Sequence, residues 1–169
     1  MFENFDVGTL IMIVLAVIIG IYLHRLDKKE KSDPLAALCK QYRTLSMDTL
    51  VAIPDDKLVR AVIANMMAKT DRHRPDVYRL IPLLSHGRVA VYSVWLICHE
   101  LEIADMDTLL RSPSGRFLES ATDGFSLIGA TACAAAEDET ALRAAISAEQ
   151  PLTLCVAYIR EYPDEFVDL

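Results

Sequence analysis

One long apolar run near the start of the chain is followed by short apolar stripes separated by polar breaks. From Val7 to Leu23 the sequence VGTLIMIVLAVIIGIYL carries no charge. A helix of that length covers roughly 25 Å at ~1.5 Å per residue, the short end of what spans a bilayer. Tyr22, His24 and Arg25 are suited to the interface that such a helix would reach. Glu3 and Asp6 precede the run, whereas Arg25, Lys28, Lys29 and Lys31 follow it. Positive charge is retained on the cytoplasmic side, so this asymmetry predicts an external N-terminus and a cytoplasmic C-terminal part. A cleaved signal peptide would carry its bases before the run and a small-residue site after it, and neither is seen. The expected organisation is a single-pass inner (plasma) membrane anchor over residues 1–25, a charged linker over 26–33 and a compact multi-helix domain over 34–169.

Within that domain the apolar positions recur at helical spacing. Asp33-Pro34 suits a helix start, and Leu35, Leu38, Cys39, Tyr42 and Leu45 continue from it. Pro54-Asp55-Asp56 opens a second helix, whose stripe is Leu58, Val59, Val62, Ile63, Met66 and Met67. The segment TDRHRP, Thr70 to Pro75, breaks the pattern and holds the compact basic spot Arg72, His73 and Arg74. A short helix over Val77–Leu84 is limited by Pro82. Val89 to Ile103 is apolar nearly all round, which predicts a helix at the centre of the fold. Asp105 to Leu110 reads as a short helix and Ser112 to Gly115 as a turn. Gly124, Gly129 and the CAAA run at 133–136 suit close helix packing. Asp138 and Pro151 open two further helices, through Ala148 and Tyr162, and the closing PDEFVDL is acidic. No period-2 run of β-branched residues and no internal repeat is evident, so the expected fold class is all-α.

Composition refines this picture in three ways. The hydrophobic fraction is 53%, above the usual range for a soluble domain, in keeping with an apolar anchor. Cys39, Cys98, Cys133 and Cys155 are widely spaced in apolar or Ala-rich surroundings, as buried thiols in a reducing compartment would be. The net charge is −7. In residues 1–33, Glu3, Asp6, Asp27, Glu30 and Asp33 against Arg25, Lys28, Lys29 and Lys31 give −1, which leaves −6 for residues 34–169. An acidic domain attracts basic partners and disfavours direct nucleic-acid binding.

Candidate chemistry is sparse. There is no phosphate-binding glycine loop, nucleophile elbow or zinc-protease helix, and no metal or cofactor is expected. His99-Glu100 are adjacent, so on a helix they point about 100° apart and do not readily share an ion. Glu100, Glu102, Asp105 and Asp107 put four carboxylates into eight residues, the candidate acidic contact surface.

The stretch Leu83 to Ala145 resembles the helical domain family named after the C-terminal region of a bacterial DNA-mimic protein. Val91, Tyr92, Val94 and Trp95 resemble its V-Y-x-V-W helix, and Glu100-Leu101 its Glu-Val step. Ser112–Gly115 resembles its turn, and Gly124 to Ala130, GFSLIGA, its I-G-A segment. Glu102, Ile103, Ala104 and Asp105 stand where that family has Asn-Asn-Gly-Gly, Met106 replaces its Phe and Thr108 its Gln. The resemblance implies a multi-helix fold and no general reaction.

Three functions are consistent with these features. The first is an anchored module that binds another protein through Glu100, Glu102, Asp105 and Asp107. The second is a hydrolase-like enzyme using His99 and Glu100. The third is an immunity or DNA-mimic inhibitor.

Overall fold

A computed structural model of the chain describes residues 34–70 and 77–168. The expected anchor at 1–25, the linker at 26–33 and the basic spot at Arg72, His73 and Arg74 lie outside the described residues. Among the described residues, no helix is long and apolar enough to cross a membrane. Every element described there is helical, as the periodicity predicts. The described residues from Leu38 onward belong to one compact unit, separate from the segment that ends at Ala37.

The helices are α1 (Pro34–Gln41), α2 (Met47–Ala52), α3 (Asp55–Thr70), α4 (Val77–Leu80), α5 (His86–Ile103), α6 (Met106–Arg111), α7 (Leu118–Leu127), α8 (Thr131–Ala134), α9 (Glu139–Glu149) and α10 (Pro151–Glu161). Single 3-10 turns cover Ile81–Leu83, Pro113–Phe117 and Pro163–Glu165.

Capping chemistry sets most of these limits. Asp105 accepts from the Thr108 N–H at 2.8 Å and Asp138 from the Ala141 N–H at 2.8 Å, each satisfying a donor of a first turn. Gln150 takes a left-handed φ of 48°, which breaks α9 from α10, and Pro151 then opens α10.

The central helix is α5. Tyr92, Val94, Leu96, Ile97, Cys98 and Leu101 are all buried along it, and it packs against α3, α7 and α10. Its pairing with α7 is the most extensive in the fold. Gly124 permits that approach, because a Cβ there would stand 2.9 Å from the Ala90 carbonyl oxygen. Phe117, Phe125, Leu109, Ile159 and Phe166 fill the space around it. Each fully buried side chain of this size contributes about 1.5–3 kcal/mol.

Four features depart from the pattern-based expectation. Helix α1 ends at Gln41, yet Tyr42 and Leu45 are both buried beyond it. Ser46 then caps a separate helix by accepting from the Thr49 N–H at 3.2 Å. Second, the Val89–Ile103 face divides: Tyr92 and Leu96 are buried, whereas His99 and Ile103 are exposed. Third, the Ala-rich run is a four-residue helix in which Cys133 alone is buried, and Gly129 serves a turn at φ +82° instead of a packing contact.

The fourth is a tetrapeptide that occurs twice. Met-Asp-Thr-Leu occurs at Met47–Leu50 and again at Met106–Leu109. Both tetrads begin a six-residue helix capped by the preceding residue, and both bury their leucine completely. Pro54 and Pro113 follow at the same distance, then the fully buried Leu58 and Phe117, and then Met66 and Phe125. The likeness ends there, since Pro54 precedes a 16-residue helix and Pro113 opens a 3-10 turn.

The acidic end of the chain is part of the core. Phe166 is completely buried. The Asp168 N–H donates to the Leu45 carbonyl at 2.7 Å, and its carboxylate accepts from the Leu45 N–H at 3.0 Å, Asn65 at 3.0 Å, Arg88 at 2.7 Å and Lys69. Glu165 accepts from the Gly87 N–H and from the Tyr158 hydroxyl.

Candidate functional site: an acidic turn and the groove beside it

The four carboxylates of the candidate surface come from the end of α5 and the start of α6, and they are not equivalent. Glu100 is half-buried and accepts from the Ser114 hydroxyl at 2.8 Å, which ties α5 to the turn at Pro113–Phe117. Asp105 is exposed, but it is the cap of α6, and the Thr108 hydrogen bonds hold its carboxyl below the usual range. Glu102 and Asp107 are exposed, and Glu102 lies near His99. Glu102 and Asp105 share a shallow hollow with Ile103, Thr108 and Arg143. Glu100 and Asp107 are not part of it.

That turn is clamped from α9. Arg143 donates to the carbonyl oxygens of Leu101 and Ala104, closing the end of α5 where carbonyls lack helical partners. Glu139 accepts from the Met106 N–H at 2.9 Å and pairs with Arg143 at 2.7 Å. The Met106 N–H, then Arg143, hold the Glu139 carboxyl below its ordinary range. Glu102 and Asp107 are therefore displayed on backbone held at both sides. Large apolar groups stand among them: Ile103 is 72% exposed, and Leu110, three residues after Asp107, is 55% exposed.

Beside this turn runs a groove of about 450 Å³ between three helices. Helix α3 supplies Asp55, Asp56, Val59 and Arg60; α5 supplies Trp95, His99 and Glu102; α10 supplies Leu152, Thr153 and Val156. The α5 side chains are brought together by helical spacing, since Trp95, His99 and Glu102 are four and three residues apart. His99 stacks on Trp95 with ring centroids 5.6 Å apart and planes 12° apart. Trp95 in turn leans on Tyr92 at 6.0 Å, and Tyr92 meets Phe117 edge-on at 5.3 Å. This ladder of rings runs from the buried core to His99, whose side chain is 53% exposed.

His99 Nδ1 lies 3.7 Å from Glu102 Oε2, so the carboxylate beside His99 is Glu102 and not the Glu100 that the hydrolase reading names with it. Glu100 is held by Ser114. Asp55 accepts from Arg160 at 2.7 Å, and that guanidinium also donates to the carbonyls of Leu50 and Ile53. Among the described residues, no group of His, Cys, Asp and Glu is arranged to hold a metal ion.

Of the cysteines, Cys98, Cys133 and Cys155 are buried, as expected, while Cys39 is half-buried. Burial, with Glu102 nearby, pushes the Cys98 thiol up to about 12. Burial also raises Cys133 to about 12, followed by its contact with Glu149. Thiols raised this far are poor nucleophiles at neutral pH.

Asp56 and Leu152 carry no mark of the groove in the sequence pattern. The available signal is the Trp95–His99–Glu102 spacing; the contributions of α3 and α10 have no local signature. No protein-family model, curated protein or solved structure matches this chain.

Proposed function

We propose that the chain is a single-pass inner-membrane protein, N-terminus outside, whose helical domain faces the cytoplasm and binds another protein through the turn joining α5 and α6. The observation that carries the binding role is the exposure of Ile103 and Leu110 among Glu102, Asp105 and Asp107 on backbone clamped by Arg143. Exposed apolar groups rimmed by charge on a rigid support are typical of protein contact sites. The net charge of −6 over residues 34–169 favours a basic partner face. The anchor rests on the uncharged run Val7–Leu23 and its flanking charges.

The test is affinity capture of the full chain from solubilised membranes after crosslinking. A defined partner should be retained by the unaltered chain and lost from a Glu102→Lys/Asp107→Lys variant. Absence of any specific partner, or equal capture by the variant, overturns the binding role. Reporter fusions at either end test the topology: activity of a cytoplasmic reporter at the N-terminus would reverse it.

A second reading, a hydrolase built on His99, is favoured by the His99–Glu102 pair in an open groove. Turnover of a panel of nitrophenyl esters that disappears in His99→Ala would support it; no turnover above background by the unaltered protein removes it.

A further inference from the structure

The groove between α3, α5 and α10 has a chemistry of its own, distinct from the turn beside it. One face of the His99 ring is covered by Trp95, and the side chain remains half-exposed. A stack that ends on an accessible ring offers a surface to one more flat group. The rim selects the sign of that group. Asp55 is already paired with Arg160, which leaves Asp56 and Glu102 set against the single guanidinium of Arg60 among the lining residues. Carboxylates disfavour a phosphate or a nucleotide and favour a cation. The wall on the α10 side is apolar, with Leu152 exposed and Val156 half-buried. A flat cation carried on an apolar stem meets all three requirements, and among protein side chains that is arginine. Lysine has the stem and the charge but no plane to stack.

We propose that the groove receives an arginine side chain of the partner protein, its guanidinium stacked on His99, its N–H groups on Asp56 and Glu102, and its stem along Leu152 and Val156. Arginine stacks on aromatic rings and meets carboxylates in a forked geometry, so one residue uses every wall of the groove. Arg60, exposed among the lining residues, is the like charge that such a guanidinium would meet. This proposal deepens the protein-binding reading above and rests on it.

Trp95 is the only tryptophan in the chain and lies in the groove, so its emission reports on this site alone. The experiment is a fluorescence titration of the full chain in neutral detergent with hexa-arginine, hexa-lysine and hexa-glutamate. A saturable change with hexa-arginine is expected, with affinity about fivefold or more above hexa-lysine and no response to hexa-glutamate. Glu102→Gln and Asp56→Asn should each weaken it by about tenfold, the loss of one charge-assisted contact. Arg60→Gln should tighten it. No saturable change, equal affinity for the two cationic peptides, or an unaltered response in both Glu102→Gln and Asp56→Asn overturns the proposal. Failure of the parent reading looks different. Partner capture that depends on Asp107 with a silent Trp95 removes the groove and leaves the binding role standing. A responsive Trp95 with no captured partner does the reverse.

Discussion

Arg88 and Asp168 form an ion pair of 2.7 Å across 80 residues of sequence, and both side chains are nearly closed to solvent, at 7% and 9% exposure. Burial alone would raise the Asp168 carboxyl. Lys69, the Leu45 N–H, Asn65 and Arg88 outweigh it and hold the group well below the usual carboxylate range. Removing one member of such a pair leaves the other charge buried without its partner. Asp168→Asn is therefore expected to cost about 3 kcal/mol, roughly 10 °C in Tm, read by thermal unfolding followed by circular dichroism.

The same carboxyl predicts a pH dependence. Its folded-state pKa is depressed, so its stabilisation is present above the unfolded value of about 3.9 and is lost as pH falls from there toward the native value. Acid unfolding of the unaltered chain should steepen below about pH 4, and Asp168→Asn should flatten that portion of the curve. Parallel curves for the two proteins would refute the assignment.

Arg143 closes the end of α5 and, with Glu139, fixes the start of α6. Arg143→Met should destabilise the domain by about 2 kcal/mol, because two carbonyls lose a charged donor. Hydrogen exchange offers a local readout. In Glu139→Gln the Met106 amide should exchange faster, while amides in the middle of α5 stay protected.

Two glycines should fail for different reasons. At Gly124 an added methyl group meets the Ala90 backbone, so Gly124→Ala should cost about 1–2 kcal/mol despite the better helix propensity of alanine. At Gly129 nothing lies within 4 Å of where a methyl group would stand, and the cost of Gly129→Ala, about 1 kcal/mol, comes from φ +82° alone. Gly129→Asn should recover part of that loss, whereas Gly124→Asn should be worse than Gly124→Ala.

Thiol labelling separates the cysteines. At pH 8 Cys39 should react first, and Cys98, Cys133 and Cys155 only as the domain unfolds, since burial raises all three thiols. Two or more thiols reacting at the rate of Cys39 would contradict this packing.

Where a helix boundary is set by local chemistry, the residues announce it. Asp105, Asp138 and Pro151 each stand where the pattern puts them, because a cap or a proline acts within three residues of itself. The break after Gln41 is hidden for the opposite reason: Tyr42 and Leu45 keep helical spacing while the backbone has left the helix, and both are buried by distant partners. Glu100 and Asp107 look alike in the sequence, yet Ser114 makes one a strut and leaves the other on the surface. The groove requires Asp56, Trp95 and Leu152 to converge from three helices, and no spacing within one helix encodes that. The closing segment is equally opaque, since composition marks Asp168 as acidic without naming Leu45, Asn65 or Arg88 as its partners.

A ribosome delivers Leu45, Asn65 and Arg88 well before the group that joins them, which follows Asn65 by 103 residues and Arg88 by 80. Until Phe166 and Asp168 emerge, the Asn65 amide and the Arg88 guanidinium border a site still open to water. The core is therefore closed only once residue 168 has been made, 80 residues after Arg88, and a nascent chain halted before residue 166 exposes apolar surface to chaperones. Translation order, and not helix propensity, sets when this domain becomes a finished object.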